Sequence, residues 1–584
     1  MAGPPAIAAA ASSGGAAGAS SSSPGPRSVG ASSTALPAQA PGAKTRSDDA
    51  TAEVTPLMPG KVAEGSQVLS RLGLGPFLSS LEKHFGFEFL VMLFASQHVM
   101  KGFGMSFTQP CQRYLFSSYK VPGPQMQVYG SVVMLPWAMK PVIGLVSDLF
   151  PIGGYHKLPY MFLATILGLC ACATIGLVQM EHLSILHLVV CLFFVHLMFS
   201  VTDLLTEAKY AEKLRAIPEH GPSLVTYVWF GLNLGGLFAV ASVGVVIANA
   251  GAKIPFLIAV APMSFIFVPL LRNYMGDQPR DPEELAKFRE TLAEQKEVCL
   301  LCFMMFLGTM SMTFAGLYFD SRETNAAVAI VVALVMLVSF SLVLRPMIAK
   351  VNAFFLLQSS LGLSIEGASF YFYTDSRLAY PEGPHFSQEF YVSVLGIGST
   401  LCSLLGIWTY QRYATTWTYR QLLLVTNVAV ALLSLLDVVM FTRTNVKLGI
   451  PDHFFVLGSS VFTMVISQWQ WMPGIVITAQ LCPDGMEATM YALLAGCHNL
   501  GWAIAANCGA LLLEVLDCAP KGSLLESQQF ENLWIASLVS TVLPSLVLVL
   551  LPILIPDAKQ TDKLLADDDR DASEGSVFRR WMGR

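Results

Sequence analysis

The stretch MLPWAMKPVIGLVSDLFPIGGYHKLPY, residues 134–160, decides how the chain is read. Its first half is apolar enough to lie inside a membrane. Yet that half contains Lys140, followed at once by Pro141, and closes on Asp148. Ionisable residues within a membrane span usually face a bundle interior or a water-filled cavity. Pro136 and Pro141 flank the lysine and loosen the helix, which frees backbone carbonyls toward such a cavity. Lys140 lies about 12 Å from Asp148, at about 1.5 Å per helical residue. The competing reading is a lysine that snorkels to the interface.

The rest of the chain fits a membrane setting. Of 584 residues, 54% are hydrophobic and 13% charged, where soluble proteins carry about 25% charged residues. Mean hydropathy is +0.56. A net charge of −5 gives no reason to expect nucleic acid. The 11 cysteines lie mostly in apolar runs, and Cys299-x-x-Cys302 has no second ligand pair, so core packing is expected there. No cofactor or metal is expected.

Fourteen apolar runs are long enough to cross a bilayer, which takes about 20 residues. They fall near 88–115, 125–148, 158–178, 183–207, 223–248, 253–271, 298–319, 325–346, 352–373, 389–411, 419–441, 453–480, 488–514 and 530–555. With the N-terminus inside, the inner loops hold more Lys and Arg than the outer ones, led by Lys209, Lys213, Arg215 and the run from Arg272 to Lys296. Both termini are therefore expected in the cytoplasm. Residues 1–70, rich in Ala, Ser, Gly and Pro, are expected to be a disordered tail, and so is 557–584. The loop 273–297 reads as a charged surface helix. The first 47 residues lack Asp and Glu, which suits a solvated tail or an organellar transit peptide. The plasma membrane is the expected location, with the plastid envelope as alternative.

A weak internal repeat is present. HVMKGFGMSFTQPCQRYLF (98–116) resembles LSIEGASFYFYTDSRLAY (363–380), with Lys101-Gly102 over Glu366-Gly367. Repeated halves are common in transporters. The expected organisation is a six-helix half over 85–272, a charged linker with two extra helices over 273–350, and a second six-helix half over 351–556.

Four motifs carry a resemblance to a known family. They are the opening stretch from Lys140-Pro141 through Gly144 and Asp148 to GGYHKLPY, then VTDLLTEAKYAEKLR (201–215), IEGASFYFYTD (365–375) and LCPDGMEATMYALLAGCHNLG (481–501). Together they resemble the folate–biopterin transporter family of the major facilitator superfamily. The resemblance covers about 85–556, leaving out the tails and the two middle helices. It implies an all-α polytopic fold and a secondary transporter for folates or pterins.

Candidate site residues follow from residue chemistry. Gln97 and Lys101 share one helix face, and a buried cation at Lys101 or Lys140 suits a carboxylate-bearing substrate. If the halves meet at the midplane, Lys101 and Glu366 can form a buried pair, or either can instead be the substrate or proton site. Glu366 is the first candidate for proton coupling, because burial raises a carboxyl pKa. Asp203 and Glu207 lie on one stripe of a helix, with Asp203 the deeper and facing either a cavity or Lys140. Asp148 and Glu487 are gate or cap candidates at cytoplasmic helix ends. Gln468, Trp469, Gln470 and Trp471 form a polar-aromatic cluster within one span. Gln470 and Trp471 are suited to a flat heteroaromatic ring, or else mark an interface. Asn233, Asn499 and Asn507 are candidate cavity amides. His98, His187, His196 and His498 are read as packing residues.

The expected function is transport of folate or pterin by alternating access, with protons as a candidate coupling ion and the bilayer and a small molecule as partners. A carrier for another organic anion or amino-acid derivative is the near alternative, and a non-transporting receptor the distant one. No Ser-His-Asp set, metal cluster or phosphate loop suggests an enzyme.

Overall fold

A computed structural model describes residues 74–217, 220–279, 283, 296–482, 487–560, 562, 564–565 and 571–581. The expected N-terminal tail and the core of the charged loop after Arg272 lie outside these residues. Among them the chain is helical, with two isolated bridges and no strand.

Every expected apolar run is a helical rod. In chain order the rods are α1 (87–118), α2 (Gly123–Leu149), α3 (Leu158–Leu177), α4 (Ile185–Ala216), α5 (Gly221–Ala250), α6 (Ile254–Leu271) and α7 (Lys296–Tyr318). They continue with α8 (Arg322–Val343), α9 (Pro346–Leu361 with Glu366–Thr374), α10 (Glu389–Tyr413), α11 (Tyr419–Phe441), α12 (Asp452–Gln480), α13 (Glu487–Val515) and α14 (Ser527–Leu554). Proline in the first turn starts α2, α3, α6 and α9, where its missing N–H is no loss. Ser184, Ser321 and Thr418 cap α4, α8 and α11.

Ten rods are long and apolar enough to cross a membrane, and α9 makes an eleventh if its bent pieces count as one. The less apolar rods are α1, α12 and α13. These carry Gln97, His98 and Lys101, then Gln468 and Gln470, then His498 and Asn499. These polar side chains lower the hydropathy of three rods that contribute to the site.

The first rods of the two repeats are both irregular. In α1, residues Phe94–Met105 form a π-helix, a geometry that recurs at functional sites. In α9, the helix breaks between Leu361 and Glu366 and bends by 41°. The paired glycines explain close packing in each. A Cβ on Gly102 would lie 2.7 Å from the Leu232 carbonyl oxygen, and one on Gly367 would collide with the Gly123 carbonyl.

The Gly123–Gly367 contact belongs to a sealed end of the bundle. There Gly123 N donates to Pro520 O at 2.8 Å, Tyr371 Oη to Val121 O at 2.6 Å, and Lys120 Nζ to Gly522 O at 2.8 Å. Gln127 accepts from Gly367 N at 2.9 Å and donates to Ala506 O at 3.3 Å. The turn between α1 and α2 is thereby tied to α9, α13 and the loop before α14.

The segment after α14, expected to be disordered, is instead packed where it is described. Gln560 is buried and bonds Tyr410, the Ala414 carbonyl at 2.8 Å and, through its own carbonyl, Gln480 Nε2 at 2.7 Å. Further on, Arg345 N donates to Ala572 O at 2.8 Å, and Ala572, Ser573 and Ser576 are buried. The polar composition misleads here because the Gln560 side chain and the Ala572 carbonyl serve the ends of α10 and α9, which need partners.

Gly367→Ala should lower the apparent melting temperature in detergent, reflecting overpacking of about 1–3 kcal/mol. Gly130→Ala on α2, where a Cβ meets nothing within 4 Å, should not lower it. Equal melting of both variants would contradict the close-approach account.

Candidate functional site

Four charges meet inside the bundle. Asp203 on α4 accepts from Lys101 Nζ through Oδ1 and from Lys140 Nζ through Oδ2, each at 2.7 Å. Glu207, one turn further along α4, lies 3.6 Å from Lys101 and 3.5 Å from Lys140. Gln97 Nε2 donates to Asp203 Oδ1 at 3.3 Å. Asp203 is 1% exposed and each lysine 4%. Two cations and two anions leave the cluster neutral, which makes burial tolerable.

Local sequence explains the convergence. Residues Leu135–Trp137 form a 3-10 turn, and the α-helix resumes at Lys140. The prolines flanking Lys140 therefore break α2 at the lysine. Its ammonium also lies 4.9 Å over the Trp137 ring, a favourable cation–π placement. Snorkelling to the interface is not what Lys140 does.

A cavity of about 540 Å³ lies beside this cluster, within the roughly 300–1,000 Å³ of small-molecule sites. Tyr491 lines the cavity and lies within electrostatic reach of Glu207 and Asp203. Three rings form one wall: Trp471 and Trp502 stack with centroids 5.8 Å apart, and His498 lies 5.1 Å from each. Gln470 Nε2 donates to Asn427 Oδ1 at 2.6 Å beside them, and Gln358 donates to the same oxygen. Trp471 Nε1 and His498 Nε2 are buried without a protein partner. Among the described lining residues Arg113 is the one Lys or Arg, and it is ion-paired with Glu366.

The expected residues separate into groups. Gln97, Lys101, Lys140, Asp203 and Glu207 come together; Gln470 and Trp471 line the cavity. Lys101 does not pair with Glu366. Asp203 takes the lysine, while Glu366 begins the second piece of α9 and meets Arg113. Asn233 bonds its own helix at Trp229 O, 2.8 Å away. Asn499 reaches Trp137 O at 3.4 Å and Asn507 reaches Ser131 Oγ at 3.0 Å, so both pack α13 on α2 and do not line the cavity. Asp148 is half-buried near the end of α2, apart from the cavity lining. Glu487 starts α13, and its side chain lies outside the described residues. Sequence reasoning missed Trp502, Asn427, Gln358 and Arg113 as site residues, and read His498 as packing. The four-residue spacing of His498 and Trp502 on one helix face was the available signal.

At the sealed end, Asp375 sits against Glu526, with Lys120, Tyr371 and His385 around it. Burial, then the charge of Glu526, pushes the Asp375 carboxyl up to about 7, and Lys120 opposes this. An Asp free in water titrates near about 3.9. The closed end therefore holds the proton more tightly than an opened one. Closure is favoured as pH falls below 7 and weakened as pH rises through it.

Residues 101–574 match the sequence profile of the BT1 family, and the chain belongs to that family. Curated relatives include "Probable folate-biopterin transporter 2" of Arabidopsis thaliana, 27% identical over 532 residues, covering 88% of this chain and 94% of the relative. "Folate-biopterin transporter" of Synechocystis is 25% identical, covering 75% and 76%. "Folate transporter 1" of Plasmodium falciparum is 21% identical, covering 75% and 74%. Among solved structures, a POT family transporter in complex with 5-aminolevulinic acid superposes with a TM-score of 0.56 at 14% identity, covering 81% of this chain and 98% of that one. A D-xylose–proton symporter gives 0.50 at 12%, covering 81% and 97%. The structural likeness is one of fold, and it is the major facilitator type.

Asp203→Asn should leave the two lysines short of one counter-charge and destabilise the protein by about 3–5 kcal/mol, read as a lost or strongly lowered melting transition. An unchanged melt would contradict the cluster's structural weight. For the sealed end, maleimide labelling of a cysteine at Val121 should accelerate more between pH 6 and pH 8 than that of a control cysteine at the exposed Leu524, which reports the pH dependence of the thiolate itself. Asp375→Asn should remove that excess, and equal acceleration at the two positions with Asp375 intact would contradict the Asp375 account.

Proposed function

We propose that this BT1-family membrane protein is a secondary transporter of folates or pterins that works by alternating access. The observation that carries this is the cavity wall formed by Trp471, Trp502 and His498 beside the Gln470–Asn427 amide pair. A pterin is a flat heteroaromatic with donors and acceptors along its edge. Stacking between rings and edge hydrogen bonds to amides and an indole N–H recognise that shape. The names of the curated relatives point to the same substrates.

The neutral charge cluster supplies a coupling device. A proton taken by Glu207 would leave Asp203 to balance two lysines, weakening the hold of α1 and α2 on α4. Glu366, at the break of α9, is the second candidate proton site, and Asp148 and Glu487 are candidate gate residues at the other end. We place both termini in the cytoplasm from the loop charges, so the sealed end faces outward and the described state is closed to the outside. The two halves would rock about the cavity, with α7 and α8 standing outside that motion.

Radiolabelled folic acid and biopterin should enter vesicles carrying the protein saturably, and faster when a proton gradient is imposed. Lys140→Ala and Glu366→Gln should reduce the gradient response. Trp471→Ala should weaken both substrates by roughly ten- to a hundredfold, as expected for loss of one stacking surface worth about 1–3 kcal/mol. Well-inserted protein that moves neither compound would refute the substrate class while leaving the fold intact.

A further inference from the structure

The cavity has two chemically different ends. Trp471 lies 19 residues from Asp452, the start of α12 at the sealed end. Trp502 lies 13 residues, and His498 17, from Val515, where α13 reaches the same end. Arg113 lies only five residues from Ser118, the last helical residue of α1 there. At about 1.5 Å per residue, the ring wall sits roughly 12–20 Å deeper along the bundle axis than Arg113. Both groups line the same cavity. One end is thus a stacking platform with amides, and the other presents a guanidinium.

That guanidinium is held by a carboxylate from the opposite repeat. Glu366 pairs with Arg113, and the Arg113 and Glu366 side chains are 30% and 33% exposed. A pair this accessible is exchangeable, because a carboxylate brought in by a ligand can take the place of the Glu366 oxygen on the Arg113 guanidinium. The remaining charged lining residue is Asp437, which bears the wrong sign to receive an anion.

We propose that Arg113 is the specificity-determining residue for substrates with an anionic tail, binding a tail carboxylate in exchange for Glu366 while the heteroaromatic head rests on Trp471, Trp502 and His498. This assignment depends on the substrate class proposed above and divides it in two. A p-aminobenzoyl-glutamate tail spans the distance from platform to guanidinium. The short dihydroxypropyl chain of biopterin does not, and it carries no charge to offer. Folates therefore use both ends of the cavity and pterins only the deeper one.

The test compares uptake KM values for folic acid and biopterin in the full chain reconstituted in vesicles. The variant is Arg113→Gln in a Glu366→Gln background, compared with Glu366→Gln alone and without an imposed proton gradient, so that any coupling role of Glu366 is common to both. Its KM for folic acid should rise roughly ten- to a hundredfold, the range for loss of one charge-assisted hydrogen bond, while the KM for biopterin stays within about twofold. Free p-aminobenzoyl-glutamate should compete with folic acid in the parent protein and lose that effect in the variant. A parallel rise for both substrates, or no change for folic acid, would overturn the assignment and leave the transporter reading standing. If the parent protein takes up neither substrate, that reading falls and the assignment falls with it. Arg113→Lys, which keeps the charge but not the fork, should recover part of the folic acid affinity; no recovery beyond the double variant would count against it.

Discussion

The bonds from Lys101 and Lys140 to the two oxygens of Asp203 are the constraint on which the first half of the molecule depends. In a low-dielectric interior an ammonium without a counter-ion is strongly unfavourable, and so is a carboxylate. Each lysine must therefore find Asp203, and the backbone deforms to allow it. The π segment of α1 carries Lys101, and the 3-10 break of α2 carries Lys140. Glu207 completes the neutrality at a longer distance, so its contact is the looser of the two. A cluster with one tight and one loose carboxylate can change partners without leaving a bare charge.

From this cluster the site extends outward in layers. Tyr491 lines the cavity within electrostatic reach of Glu207 and Asp203, the ring wall and amides line the cavity's deeper part, and Arg113 with Glu366 stands toward the sealed end. Beyond lies Asp375 against Glu526, and the raised proton affinity of Asp375 favours closure in acid.

Much of this was legible because apolar runs of span length have few other uses. All fourteen became rods, and the lysine between prolines pointed to the break in α2. Asp203 and Lys140 could be matched because both were expensive where they stood. The error over Glu366 has the same origin: the repeat placed it opposite Lys101, and spacing cannot tell which of several buried cations a carboxylate reaches. Arg113 did not stand out because it lies near the end of its run. Trp502 shares a helix face with His498, but its place in the site depends on α12 and α13 lying side by side. The segment around Gln560 has a tail's composition, and its docking place is made by Tyr410, Gln480 and the end of α10 only once the helices are assembled.

The central claim is that the ring wall holds the substrate's heteroaromatic head. A single-particle structure of the protein in lipid nanodiscs with saturating folic acid tests this most directly. The account predicts a planar density stacked against Trp471 and Trp502, with Gln470 at its edge. Folic acid density elsewhere, or an unfilled wall at a concentration that saturates uptake, would contradict it.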